Sequence, residues 1–307
     1  MTAVFSTTGG TVVGQIGMTM ASIAYAPDQA TIVSLLADTG LATQGNWSLV
    51  WYASDTGNQV FVAQDKTSGQ FCVAIRGSVS NPKSKAFWID WFGQDLSVFR
   101  SALWPYDGAP DGARVSRGSL QGLGSLLTLK NAAGQDLVSF LRANADRPYL
   151  TAVVGHSLGG ALATMLAAYL HQEFSPGQNV LDFWPVTFAG PTAGNEVFAG
   201  WLESQFAMTN SRYYNVDDVV PHAFAALDWI RQSFPGNPSL PLALVPLLDG
   251  IRGVLDLEHI DYTQPGNGVP LQGTIDLNDD WFVEAGLQHS GETYLALLGA
   301  PLVDNGS

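Results

Sequence analysis

Ser157 stands in Gly155-His156-Ser157-Leu158-Gly159, a pentapeptide that can present a serine as a nucleophile. In a chain with 33 glycines among 307 residues the bare pattern carries little weight, so its flanks carry the argument. Tyr149 to Val154 supply apolar, β-leaning residues before it, and Ala161 to Leu170 follow it with Ala and Leu and no Gly or Pro. A strand, a sharp turn and a helix are expected in that order. A nucleophile on such a turn crowds the positions two before and two after it, and both are glycine, where a Cβ would collide. The helix after Ser157 points its positive end at the site, so the Leu158 backbone N–H is expected to stabilise an oxyanion forming on a substrate carbonyl.

Acyl transfer by serine needs a base to take its proton and an acid to orient that base, and on this kind of turn both follow the serine in the chain. A later strand expected over Arg212 to Val216 runs into Asp217-Asp218-Val219-Val220-Pro221-His222. Catalytic groups gather at the carboxyl ends of strands in an open parallel sheet, so one of Asp217 and Asp218 is the expected acid. Residue types do not choose between them. Five histidines compete for the base. His156 adjoins the nucleophile and is expected to point away from it, and His171 falls near the far end of the following helix. His222 is placed to line the cleft, His259 sits in a strand-like Leu257 to Tyr262, and His289 lies in loop-like sequence before a helix expected over Thr293 to Leu298. A loop before a terminal helix suits the base best, so His289 is expected in that role with His259 as its rival. The second oxyanion donor should follow a different strand. Phe71 to Ile75 ends in Arg76-Gly77-Ser78, which makes Ser78 the candidate.

These residues need a scaffold, and the composition allows one. Hydrophobic residues make up 46% of the chain and charged residues 13%, so a large core and a weakly charged surface are expected. No linker or charge run divides residues 1–307, which read as one α/β domain with insertions. The net charge of −14 argues against nucleic acid and anionic membranes as partners and leaves a neutral oil–water interface open. The lone Cys72 lies in a strand and is expected to be an inert core thiol. The first basic residue is Lys66, so no secretory signal is expected in the chain as given, and the compartment stays open. Leu240 to Leu248, the longest apolar stretch, is short and broken by Pro241 and Pro246, so no transmembrane segment is expected. Residues 79–92 place Phe87, Trp88, Trp91 and Phe92 at helical spacing and read as a lid or as the wall of an acyl groove; residues 227–257 read as a second cover or a packed cap. Asp276-Leu277-Asn278-Asp279-Asp280 reads as an acidic turn rather than a calcium loop, because Trp281 stands where that loop needs glycine.

Taken together, Arg76-Gly77-Ser78, Trp91, Asp95-Leu96, Gly155 to Ala163, Phe188-Ala189-Gly190-Pro191, Asp218 to His222 and a late histidine resemble the class 3 lipases, the family of fungal triacylglycerol lipases and related feruloyl esterases. The resemblance runs from about Phe71 to Gly299. It implies the α/β-hydrolase fold, a mostly parallel sheet flanked by helices, and a carboxylic ester hydrolase, foremost a triacylglycerol lipase, with esterase activity on soluble esters as the alternative. It further implies Ser157 as nucleophile, Asp218 rather than Asp217 as acid, His289 as base, the N–H groups of Ser78 and Leu158 as oxyanion donors, and no cofactor. His259 resembles a family histidine on a strand outside the triad. The chain departs from the pattern at Ser116-Arg117-Gly118-Ser119, where the family often has His-x-Gly-Phe, and in the longer stretch between Leu227 and Leu257.

Overall fold

A computed structural model of the chain describes residues 5, 10–79, 83–93, 100–144, 149–174, 181–206, 211–234, 239–266 and 268–306, with the backbone alone at 90–93, 149 and 181. Its strands are β1 (Trp47–Ser54), β2 (Gln59–Asp65), β3 (Phe71–Ile75), β4 (Ser101–Leu103), β5 (Arg114–Ser116), β6 (Tyr149–His156), β7 (Leu181–Phe188), β8 (Gly194–Asn195), β9 (Arg212–Asn215), β10 (Tyr262–Thr263) and β11 (Val269–Leu271). Its α-helices are α1 (Gly10–Ile23), α2 (Gln29–Leu36), α3 (Lys85–Gly93), α4 (Arg117–Thr128), α5 (Leu137–Asn144), α6 (Leu158–Glu173), α7 (Glu196–Gln205), α8 (Leu227–Gln232), α9 (Val245–Glu258), α10 (Trp281–His289) and α11 (Gly291–Leu297).

The main sheet has seven strands in the order β1-β2-β3-β6-β7-β9-β11. The first three pair antiparallel, and β3, β6, β7, β9 and β11 continue parallel. The continuous apolar run Phe71-Cys72-Val73-Ala74-Ile75 follows from burial on both faces, the pattern of a covered parallel sheet. Side chains alternate across it. Phe71, Val73 and Ile75 join Val153 and the Ala- and Leu-rich face of α6 on one side, with α4 and α5. Cys72 and Ala74 join Ala152, Val154 and α1 on the other, with Leu295 and Leu298 of the terminal region. Cys72 is fully buried, and burial pushes its thiol up, which keeps it from forming a thiolate. A smaller sheet, β10-β8-β5-β4, lies apart from the main one in pairing.

A third core joins the parts that the sequence separates. Trp88 of α3, Leu227 and Ile230 of α8, Leu248, Ile251 and Leu255 of α9, and Trp281 and Ala285 of α10 are buried against one another. The candidate lid (79–92) and the candidate cap (227–257) therefore share one apolar cluster with the helix that ends in His289. Among the described residues no helix is long and apolar enough to cross a membrane.

Candidate active site

The parallel strands deliver the site residues from their carboxyl ends, as the geometry of an open parallel sheet requires. Ser78 follows β3, Ser157 follows β6 and Asp218 follows β9. Ser157 sits between β6 and α6 with φ +59° and ψ −132°, a backbone conformation that L-residues rarely adopt. It is held there by its own N–H donating to Phe188 O at 2.9 Å and by its carbonyl accepting from Gly160 N–H at 2.8 Å. The two glycines of the turn have separate jobs. A Cβ on Gly155 would lie 2.1 Å from Gly159 O, inside the turn itself, whereas a Cβ on Gly159 would lie 2.6 Å from Ile75 O and 3.0 Å from Gly77 N. The second glycine thus lets the end of β3, and Ser78 with it, close on the turn. Gly155→Ala is expected to cost about 4 kcal/mol or more, since only backbone could yield, and the shift of the urea midpoint at unchanged m-value measures it.

His289 Nε2 lies 2.8 Å from Ser157 Oγ, and His289 Nδ1 lies 2.9 Å from Asp218 Oδ2 and 3.1 Å from Oδ1. A carboxylate only accepts, so Nδ1 carries the proton and Nε2 is left to accept from the serine hydroxyl. Asp218 is fully buried and receives two further donors, Val220 N–H at 2.9 Å on Oδ1 and the Tyr294 hydroxyl at 2.9 Å on Oδ2. Tyr294 accepts in turn from Asn215 N–H at 2.9 Å; burial, and then the charge of Asp218, push its phenol well up, so it stays a donor. Asp217 is only partly buried and its N–H turns back to Asn215 Oδ1 at 3.2 Å; burial raises its carboxyl. Of the adjacent pair, it is Asp218 that faces His289.

Two helix ends add to this arrangement. The N-terminus of α6 begins at Leu158, directly after Ser157, and the C-terminus of α10 falls on His289. The first favours negative charge at a substrate carbonyl and the second favours an imidazolium. Ser78, Ser157 and His289 line a common cleft of about 480 Å³, within the range of small-molecule sites. Phe87 also lines it, while Trp88 is fully buried behind, its ring edge-on to Trp281 at 5.8 Å and to His289 at 6.2 Å. Residues 80–82, and the side chains of Trp91 and Phe92, lie outside the described residues.

Four expectations are corrected by these positions. His289 is not in a loop: it is the last residue of α10 and only 2% exposed. Asp280, read from sequence as part of a solvated turn, caps that helix by accepting from the N–H groups of Phe282 and Val283. His259 is not on a strand but caps the end of α9 in the left-handed conformation, φ +50°, exposed to solvent. His222 stacks on Trp229 with centroids 3.7 Å apart and does not line the cleft. His171 lies on α6 within 3.8 Å of Asp182.

The structure also gives His156 and Tyr25 positions that the sequence did not show. The His156 ring lies 5.0 Å from that of His289, and its Nε2–H donates to His289 O at 2.9 Å. Burial, and then the neighbouring His289, hold His156 well below its ordinary pKa, so it braces the other histidine as a neutral ring. The Tyr25 hydroxyl lies 3.3 Å from both His156 Nδ1 and His156 O, and a Cβ on Gly77 would lie 2.3 Å from it, so Tyr25 packs the end of β3 against the turn. Tyr25 follows α1, far from any chemical motif in the chain, and only folding reveals it.

The sheet, the turn and the set of groups around it define an α/β-hydrolase fold. The model of the class 3 lipase family matches residues 72–227, half of the chain, and the chain belongs to that family. It is 29% identical over 226 residues to secreted mono- and diacylglycerol lipase 1 of Fusarium solani, spanning 68% of this chain and 61% of that protein. It is 28% identical over 194 residues to the chloroplastic phospholipase A(1) DAD1 of Arabidopsis thaliana, spanning 60% of this chain and 39% of that one. The chain therefore spans less than two thirds of the length of either curated relative. Among solved structures, M37 lipase superposes with a TM-score of 0.77 at 25% identity over 94% of this chain and 91% of its own.

Proposed function

We propose that the protein is a serine carboxylic ester hydrolase of the lipase type, acting on acylglycerols through an acyl-enzyme at Ser157. The observation that carries this reading is the continuous chain of hydrogen bonds from Ser157 Oγ through His289 to a buried Asp218. His289 takes the proton of Ser157 as its oxygen attacks the ester carbonyl; the N–H groups of Ser78 and Leu158 hold the oxyanion; His289 then protonates the departing alcohol. Water, deprotonated by the same histidine, attacks the acyl-enzyme and frees the fatty acid and the serine. No step calls on a cofactor. Triacylglycerol is the first substrate to test, since the resemblance points to it and the curated relatives bear the names of glyceride and phospholipid hydrolases.

Residues 79–92 are the lid in this reading, within a single hydrolase domain whose segment 227–257 forms the bed on which the lid lies. Packing sets the energy scale of opening. An indole buries about 150–250 Å², so withdrawing Trp88 into water costs about 4–6 kcal/mol. An oil surface that receives the ring removes most of that cost. The cleft also holds Tyr25, Ser78, Ser290 and Glu292, a polar share that favours a second reading, an esterase on soluble short-chain esters. The initial rate on tributyrin as its concentration crosses the solubility limit separates the two. A jump above the limit is expected for a lid opened by the interface, and saturation below it means a groove already open. A rate no higher than that of the Ser157→Ala protein at any concentration overturns the hydrolase reading.

A further inference from the structure

The last turn of α10 leaves carbonyls that no helical N–H can meet, and side chains meet two of them. The His289 carbonyl accepts from His156, the neighbour of the nucleophile. The Gln288 carbonyl accepts from Asn215 Nδ2 at 3.0 Å. Asn215 is the last residue of β9, fully buried, and stands three residues before Asp218. The helix end that carries the base is therefore gripped from the nucleophile's side and from the acid's side.

Asn215 does more than hold one carbonyl. Its Oδ1 accepts from Asp217 N–H at 3.2 Å and its backbone carbonyl from Asp218 N–H at 3.1 Å, so it shapes the loop that carries the acid. Its N–H donates to the Tyr294 hydroxyl, which itself donates to Asp218 Oδ2. Its Nδ2 also donates to Gln288 Oε1 at 2.6 Å, and Gln288 Nε2 donates onward to Thr274 O at 2.8 Å and to Glu284 Oε1 at 2.6 Å. Backbone groups fix the sense of this chain at both ends. The Asp217 N–H can only donate, which makes its partner the amide oxygen of Asn215; Thr274 O can only accept, which makes its partner the amide nitrogen of Gln288. Gln288 and Glu284 are 3% and 1% exposed, so water competes little for these bonds. Gly273 lets the backbone close over them: a Cβ there would lie 2.4 Å from Gln288 Oε1 and 2.5 Å from Asn215 Oδ1.

Resting on the ester hydrolase reading above, we propose that Asn215 is a positioning residue: its amide locks the end of α10 to the loop that bears Asp218 and so sets the separation of His289 from its acid. Asn215 does not line the cleft, so it acts through His289 and Asp218, and Gln288 holds its amide in place. Without this lock, α10 and the loop are joined near the triad by the His289–Asp218 bond and by Tyr294, which belongs to the next helix. A misplacement of about 1 Å in a catalytic pair costs up to about 100-fold in rate.

Asn215→Leu keeps the size of the side chain and removes both its donor and its acceptor. Its kcat and KM on ethyl butyrate, below the solubility limit, are compared with wild type, with Ser157→Ala as the blank. The proton resonance of His289 Nδ1–H, assigned by its absence in His289→Ala, is followed by NMR in the same proteins. The expected result is a fall in kcat of about 10- to 100-fold with KM within about twofold of wild type, and an upfield move of the resonance as the bond to Asp218 lengthens. Both half-reactions use His289, so kcat carries the loss whichever of them is slower. Gln288→Met, which keeps its backbone bond to Asn215, is expected to show the same changes at smaller size, and it decides the matter if Asn215→Leu does not fold. A lower Tm with kcat undiminished, a loss carried mainly by KM, or a fall in kcat with the resonance unmoved overturns the proposal and leaves the hydrolase reading standing. A wild-type rate no higher than the blank overturns that reading and the proposal with it.

Discussion

Replacing Ser157 with alanine is expected to lower kcat on tributyrin on the order of 10⁶-fold, the loss typical of removing the nucleophile from a triad that works as a unit. The change deletes one oxygen whose partner among the described residues is His289 Nε2 at 2.8 Å, so the fold should persist. A companion variant tests the turn that presents it. Ser157 holds φ at +59°, a region open to glycine at little cost and strained for any residue with a Cβ. Ser157→Gly should be as inactive as Ser157→Ala yet more stable by about 1 kcal/mol, the relief of strain less the greater freedom of glycine in the unfolded chain. Urea midpoints of the two inactive proteins read that difference directly. A Ser157→Ala enzyme that keeps its rate would place the nucleophile elsewhere, and a glycine variant less stable than the alanine one would show that the turn stores no strain.

Much of this site is legible in the chain because local rules coincide there. The apolar strand before Ser157, the Gly155 and Gly159 pair and the Ala-rich helix after it each specify the same strand–turn–helix, and β6 and α6 form on those residues. Asp217 and Asp218 were a different matter. Adjacent residues of one type face different ways, and the choice rests on which side chain meets His289 and Tyr294, more than seventy residues further along the chain, as well as the nearby Val220 N–H. His289 itself reads as a loop residue before the helix expected over Thr293 to Leu298. The helix signal was present in Asp280 as cap and in Trp281, Ala285 and Gln288, buried at helical spacing, but it was hidden by reading Asp276 to Asp280 as a turn that ends rather than a cap that begins. Tyr25 and His156 lay beyond reach for a simpler reason: their roles depend on contacts across the sheet that no periodicity records.

The shared core of α3, α8, α9 and α10 ties access to chemistry. Trp88 touches Trp281 at the start of α10 and His289 at its end, so the helix that ends in His289 is packed by the element whose Phe87 lines the cleft. In the lid reading proposed above, α3 cannot swing out without exposing the flank of His289. This gives the lid reading a physical content that composition alone, with its count of aromatics, could not supply.

Asp218→Asn is expected to lower kcat about 10⁴-fold, while Asp217→Asn should stay within a factor of about three of wild type. The reason lies in the number of donors that Asp218 satisfies. Its Oδ1 receives Val220 N–H, and its Oδ2 receives the Tyr294 hydroxyl and His289 Nδ1–H. An amide has one acceptor oxygen and one NH₂. If the NH₂ takes the Oδ1 place it opposes Val220 N–H; if it takes the Oδ2 place it opposes His289 and drives the proton to Nε2, where the ring can no longer accept from Ser157. Tyr294 cannot absorb the mismatch freely, because its oxygen already accepts from Asn215 N–H. Asp217 has no such burden: its carboxyl is partly exposed, and it is the Asp217 backbone N–H that bonds Asn215. Steady-state kcat of the two variants on one soluble ester decides the matter, with circular dichroism to confirm folding. Equal modest losses from both would remove Asp218 from the role of acid and leave the histidine oriented by some other group.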